Sequence, residues 1–160
     1  MKNRQEGKIN MTKYLTPEGL EKFKKELDYL EKVKRKEVSE RIGDAASQGD
    51  LKENAGYDVA KEDQGFVEGR IKQLKEILSQ AKILEKKESN KIQIGSFVCL
   101  ESGEGKISFQ VVEPEEADVL QGKISFKSPF GGAILNKKKG DVVKINSPEG
   151  KKEYKILEIK

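Results

Sequence analysis

Two carboxylates three residues apart, Asp50 and Glu53, are the side chains of this chain whose type and spacing could do chemistry. Carboxylate oxygens suit Mg²⁺, an ion that keeps several waters and takes one or two carboxylates together with phosphate oxygens. Two carboxylates alone hold it weakly, so a partner must supply the other ligands. A local reading competes, because an acidic cap followed three residues later by Glu is close to a capping box at a helix start. The two roles can coexist. Arg41 and Lys61, predicted to face each other below these acids, could engage a phosphate backbone. They could equally be ion-paired to Glu37, Glu40 or Glu62. The run Lys32, Lys34, Arg35, Lys36 reads first as a solvated helix face and second as a contact for nucleic acid or a partner.

Two long helices must position the acidic pair. Thr16 followed by Pro17 marks a helix start, since a hydroxyl can cap the first free amide and proline occupies the first helical position without losing a bond. Apolar residues then fall at Leu20, Phe23, Leu27 and Leu30 and shift to fourfold spacing through Lys34, Val38 and Ile42 to Ala45, a stutter in a heptad stripe. A second stripe runs through Tyr57, Ala60, Gln64, Val67, Ile71, Leu74, Leu78 and Ala81. Folded antiparallel, the stripes match Leu20 to Ala81, Phe23 to Leu78, Leu27 to Leu74, Leu30 to Ile71, Ile42 to Ala60 and Ala45 to Tyr57, all about one midpoint. That places the turn at 47–50, where Gly49 can take positive φ. With roughly 30 residues per arm, the tip stands about 45 Å from the base. Gly65 and Gly69 suggest close helix packing or a gentle bend.

The chain has 160 residues, 38% charged and 34% hydrophobic, with no Trp, so elongated charged surfaces are expected in place of one large core. A net charge of +4 does not demand a polyelectrolyte binder, and any contact with nucleic acid should be local. One cysteine and no histidine exclude a disulfide framework and the usual Cys/His zinc sites. No apolar run approaches a membrane span and the start lacks the apolar core of a signal peptide, so a cytoplasmic protein without membrane contact is expected. Residues 1–11 read as a flexible extension, 12–86 as the hairpin and 87–91 as a linker. Residues 92–160 form a β-rich domain with strand-like runs SFVCL, ISFQVV, GKISF, DVVKI and EYKIL and one helical turn within 115–120. Cys99 reads as a small buried hydrophobe. SPFGGAILNKKKGD, 128–141, reads as a loop that either closes the core with Phe130, Ile134 and Leu135 or docks on a partner.

At GDLKENAGY, 49–57, and QGFVEGRI, 64–71, the sequence resembles the bacterial Gre transcript-cleavage factors. The likeness extends to YLTPEGLEKFKKEL, the EEAD of 115–118, GKIS at 122–125, SPFGGAIL at 128–135 and GDVVKINSPEGKKEY. The resemblance implies an α+β protein, an antiparallel coiled-coil hairpin followed by a small FKBP-like β-rich domain. It further implies docking at the secondary channel of bacterial RNA polymerase, with the tip reaching the active centre and the nascent RNA 3′ end. Asp50 and Glu53 match the family's acidic tip pair, which helps hold the polymerase's second Mg²⁺ and orient water during hydrolysis of backtracked RNA. The factor is then an activator of the polymerase and not itself an enzyme, a monomer with no cofactor bound alone. Arg41, Lys52, Asn54, Tyr57 and Lys61 are the implied RNA or polymerase contacts at the hairpin, and Ser128, Pro129, Phe130 and Ile134 the implied docking loop. Gly56 stands where the family usually has an acid, and Ala46 where one branch has a basic residue, which favours the GreA-like branch. The alternative is a paralogue of the same fold that occupies the channel and inhibits or remodels the polymerase. Peptidyl-prolyl isomerisation, suggested by the implied fold, is disfavoured by 6% aromatics and no visible aromatic pocket.

Overall fold

The structure, a computed structural model, describes residues 12–50, 53–85, 87 and 89–160. The expected extension 1–11 lies outside the described residues, as does Lys52. Two compact units result, one of residues 20–81 and one that joins 12–19 to 82–160. The second unit is therefore larger than the 92–160 expected from the strand runs, and the division passes through the first turn of helix α1 (Pro17–Tyr29).

In the first unit, α1 leads into a π-helical turn, Leu30–Lys34, and helix α2, Arg35–Ser47. The Arg35 N–H bonds to Leu30 O, a span of five residues. This is the stutter made physical, because one wide turn absorbs the extra residue and brings Val38 back to the seam. Helix α3, Ala55–Gln80, runs antiparallel to it. Val38, Val67 and Ile71 form the buried seam, with Leu27, Leu30 and Ile42 half-buried around them. Ala60 and Leu74 are buried as the stripe predicts, but Ile77 is buried where Leu78 is only half-buried. Four cross-hairpin ion pairs flank the seam: Arg70 with Glu26, Lys75 with Glu31 (2.6 Å), Arg35 with Glu68 and Arg41 with Asp63 (2.7 Å). Two of the arginine forks are bidentate, Arg35 at 2.6 and 2.7 Å and Arg70 at 2.6 and 2.9 Å. A Cβ on Gly65 or Gly69 would meet nothing within 4 Å, so these glycines do not serve close helix packing.

The second unit holds a five-stranded sheet in the order β5-β4-β3-β7-β6. Its strands are β3 (Phe97–Ser102), β4 (Gly105–Val112), β5 (Lys123–Ser125), β6 (Val142–Ser147) and β7 (Gly150–Ile159). All pairings are antiparallel except β4 with β5, which are parallel and joined through two short 3₁₀ turns, Pro114–Glu116 and Val119–Gln121. The core gathers Ile92, Val98, Leu100, Val111, Ile124, Ile134, Val143 and Ile156. Both parities of β3 are apolar, so alternation alone did not choose the inward face. Val98 and Leu100 point to the core, whereas Phe97 is 57% exposed and Cys99 only half-buried, which corrects the reading of Cys99 as buried.

Two short strands that the sequence did not suggest, β1 (Lys13–Leu15) and β2 (Ala81–Ile83), pair in a separate sheet. Three glutamates of the β4–β5 connection grip β1 and the residue after it. Glu113 accepts from the Tyr14 N–H (3.1 Å), Glu115 pairs with Lys13, and Glu116 accepts from the Thr16 N–H (2.9 Å) and hydroxyl. Thr16 also caps α1 as expected, its Oγ1 accepting from the Gly19 N–H at 3.0 Å. A Cβ at Gly19 would fall 1.9 Å from Glu116 Oε1, so only glycine allows this approach.

Candidate functional site at the hairpin tip

Helix α2 ends by tightening: the Gln48 N–H bonds to Ala45 O at 3.3 Å, with Gln48 at φ −94° and ψ 1°. Gly49 is not among the residues with positive φ, so the turn needs no left-handed residue at that position. The chain then bends through Asp50, whose carbonyl accepts from the Glu53 N–H at 3.4 Å. Residues 46–50 and 53 are all exposed.

The cap of α3 differs from the expected capping box. Asn54 is the N-cap, its Oδ1 accepting from the Tyr57 N–H (3.1 Å), and its Nδ2 donates back to Ala45 O (2.6 Å). One amide thus satisfies a free donor of α3 and adds a second donor to the Ala45 carbonyl, which already accepts from the Gln48 N–H, closing the tip. Helix α3 begins at Ala55, so Asp50 lies outside its cap and Glu53 sits just before it, near the positive end of the helix dipole. Neither Asp50 nor Glu53 is the N-cap of α3.

The other predicted residues divide clearly. Asn54 is half-buried with its amide committed to this closure, and Tyr57 is half-buried in the first turn of α3. Arg41 is exposed but paired with Asp63, which was not among the acids expected beside it, and Lys61 Nζ donates to Gln64 Oε1 at 2.8 Å. Each member of the basic run has its own carboxylate: Lys32 has Asp28, Lys34 has Glu37 (3.2 Å), Arg35 has Glu68 and Lys36 has Glu40 (3.9 Å). Asp28 beside it raises the Lys32 pKa, and the Arg35 guanidinium holds the Glu68 carboxyl below its ordinary range. At Gly56 a Cβ would stand 3.4 Å from Asn54 Oδ1, an ordinary contact, so a larger residue fits there.

The segment expected as a docking loop is a short helix, α4, Pro129–Ile134. Ser128 caps it by accepting from the Gly131 N–H at 3.0 Å, and Gly131 packs so closely that a Cβ would lie 2.0 Å from Ser125 O. Ile134 is fully buried, and Phe130 packs edge-on against Phe109 and Tyr154, with ring centres 5.5 and 5.2 Å apart. These side chains close the core, which corrects Ile134 as a docking contact and leaves Pro129 exposed. A cavity of about 1160 Å³ elsewhere in the second unit, beside Tyr14, Ile83 and Phe97, is lined by none of the predicted site residues.

Comparison with known proteins agrees with this layout. Residues 13–83 match the family model described as transcription elongation factor, N-terminal, and residues 86–160 the model described as transcription elongation factor, GreA/GreB, C-term. Among curated relatives, transcription elongation factor GreA of Thermosipho melanesiensis is 48% identical over 150 residues, covering 92% of this chain and 96% of that protein. The Clostridium acetobutylicum protein of the same name is 43% identical, covering 91% and 95%. The crystal structure of GreA factor homolog 1 of Thermus thermophilus shares 34% identity over 93% of this chain and 99% of that one, with a TM-score of 0.44. A helical hairpin and a mixed β-sheet unit, each matched by its own model, define a transcription elongation factor. The chain belongs to the GreA/GreB family. Among the described residues no helix is long and apolar enough to cross a membrane.

Proposed function

We propose that this chain stimulates bacterial RNA polymerase to hydrolyse backtracked nascent RNA, entering the secondary channel tip first. The polymerase is the hydrolase and this chain its activator. The observation that carries the reading is the exposed acidic pair at a tip whose helix is capped by another residue, Asn54. Asp50 and Glu53, two exposed carboxylates, fit a shared Mg²⁺ as added ligands, because this ion takes one or two carboxylates together with water and phosphate oxygens. When bound in the polymerase centre, Mg²⁺ supplies an activated water and charge stabilisation at the scissile phosphate. Asp50 and Glu53 would hold that ion and accept hydrogen bonds from the attacking water, fixing its position against the RNA 3′ end. Arg41 and Lys61 would contact RNA or polymerase by exchanging Asp63 and Gln64 for phosphate, and Lys52 and Tyr57 would be further contacts. Docking by the second unit would use Ser128 and the exposed Pro129. The protein would act as a monomer in the cytoplasm.

The test adds the protein to a stalled, backtracked bacterial elongation complex with labelled RNA and Mg²⁺. Wild type should release short 3′ fragments, and Asp50→Asn or Glu53→Gln should each slow release on the order of 10- to 100-fold, as loss of a metal-site partner does. Binding and thermal stability should stay unchanged. Wild-type protein that binds without promoting cleavage overturns the reading in favour of an inhibitor or remodeller.

A further inference from the structure

Two lysine-rich segments carry similar sequence signals and opposite surroundings. Every cation of the Lys32–Lys36 run on the hairpin is matched by a carboxylate. Lys137, Lys138 and Lys139, exposed between α4 and β6, have no ion pair among the described residues, and neither does Lys91. Lys91 and Lys138 face each other directly in an isolated antiparallel bridge, which puts two like charges on one face of the pair. Like charges directly opposite destabilise a β pairing.

The loop's backbone is firmly held all the same. Asn136, at φ 64°, donates its N–H to Ile92 O (2.8 Å), and the Ile92 N–H returns a bond to Lys137 O (2.8 Å). The Lys138 N–H donates to Asp141 Oδ2 at 2.8 Å, the Asp141 N–H to Lys138 O at 3.1 Å, and the Gly140 N–H to Ile156 O at 2.8 Å. Asp141 is the acid of this loop and its carboxylate is spent on the backbone, so four positive charges stand on a rigid base against one negative. A surface that keeps such repulsion without neutralising it is built for an anion from outside.

We propose that Lys91, Lys137, Lys138 and Lys139 bind the phosphate backbone of double-stranded nucleic acid. Lysine is depleted at protein–protein interfaces and their anchors are aromatic or arginine, whereas nucleic-acid interfaces are strongly positive. Neither 90–92 nor 135–142 contains an aromatic residue that could stack an unpaired base, so the contact is with the duplex backbone and not with bases. The site is independent of the tip chemistry and would stand if the cleavage reading failed.

The experiment measures fluorescence anisotropy of a labelled DNA duplex of random sequence with the full chain, from 50 to 200 mM salt. It compares wild type, the triple variant Lys137→Gln, Lys138→Gln, Lys139→Gln, and a control triple Lys32→Gln, Lys34→Gln, Lys36→Gln. Removing one lysine–phosphate pair should make the log–log salt slope shallower by about 0.9, so removing three takes away about 40-fold of the salt-driven weakening over this range. The control should bind as wild type does. Lys91→Glu sets an opposite charge across from Lys138, so it should weaken duplex binding while leaving the melting temperature the same or higher. That combination separates binding from folding. The proposal is overturned if wild type fails to bind at 50 mM salt, if the loop variants bind with the wild-type slope, or if the control weakens as much. Equal displacement of the duplex by polyglutamate at matched charge would point to an acidic protein surface and also overturn it.

Discussion

The hairpin stem buries Phe23, Val38, Ala60, Val67, Ile71, Leu74 and Ile77 on two facing helices, whereas the sheet unit gathers its buried side chains into one cluster with half-buried residues such as Phe109, Phe130 and Tyr154 packed on it. A side chain in the sheet core has neighbours on all sides, while one in the stem has a single facing helix and solvent behind it. The stem compensates with cross-hairpin ion pairs, two of them arginine forks of bidentate geometry. Exposed pairs individually contribute little, and ideal forks are the exception. One unit is thus organised around a core and the other around a seam whose end must be closed by local devices. A seam of this kind carries exposed side chains at its turn, as at Asp50 and Glu53.

Core truncation should have the largest effect on either unit. Ile134→Ala and Ile71→Ala should both destabilise within the usual range of about 2–5 kcal/mol, with Ile134→Ala the costlier, because a two-helix seam can close over a missing side chain more easily than a packed sheet core. Native-state hydrogen exchange, read unit by unit, measures each cost where it falls. An Ile71→Ala cost equal to or above that of Ile134→Ala would mean the stem is not the softer body. A smaller effect, about 1 kcal/mol, is expected for Asn54→Ala, which removes the cap of α3 and the bond to Ala45 O. Protection should fall at Tyr57 and Asp58 and hold at Ile71. A fall spread evenly along the stem would show that tip closure is not local.

Much of this architecture was legible because periodicity reports burial directly. The alternating apolar steps of α3, the cap at Thr16 and the five strand runs each follow from one local rule. The stutter was readable too, although its resolution as a π-helical turn at Leu30–Lys34 depends on how two helices mesh. What stayed hidden depends on atoms brought together from afar. Glu113, Glu115 and Glu116 reach back about a hundred positions to grip Lys13–Thr16, and nothing in EEAD announces that target. At the tip, Asp50 and Glu53 fitted a capping pattern, yet the N-cap is Asn54, whose amide both accepts from the Tyr57 N–H and donates to Ala45 O. Ile134 looked like a docking residue by family likeness, yet its place in α4 turns it inward.

The smallest effect separates the two units by their charges. In the stem Arg35 lowers the Glu68 pKa from its ordinary 4.5, and in the sheet unit Lys152 does the same for Glu149. A carboxyl whose folded value lies below its unfolded one stabilises the fold fully above the unfolded value, and that contribution disappears as pH falls through the folded value. Both contributions should therefore be present at neutral pH and be lost below about 4.5. The stem leans on its ion pairs more than the sheet unit does, so acid should loosen it first. Between about pH 5 and pH 3, amide protection along α2 and α3 should fall before that of β3 and β7. Glu68→Gln should flatten the stem's response without altering the sheet's, and high salt should shrink the difference by screening the exposed pairs. Acid loosening that began in the sheet unit would show that the core, and not the seam, depends on charge.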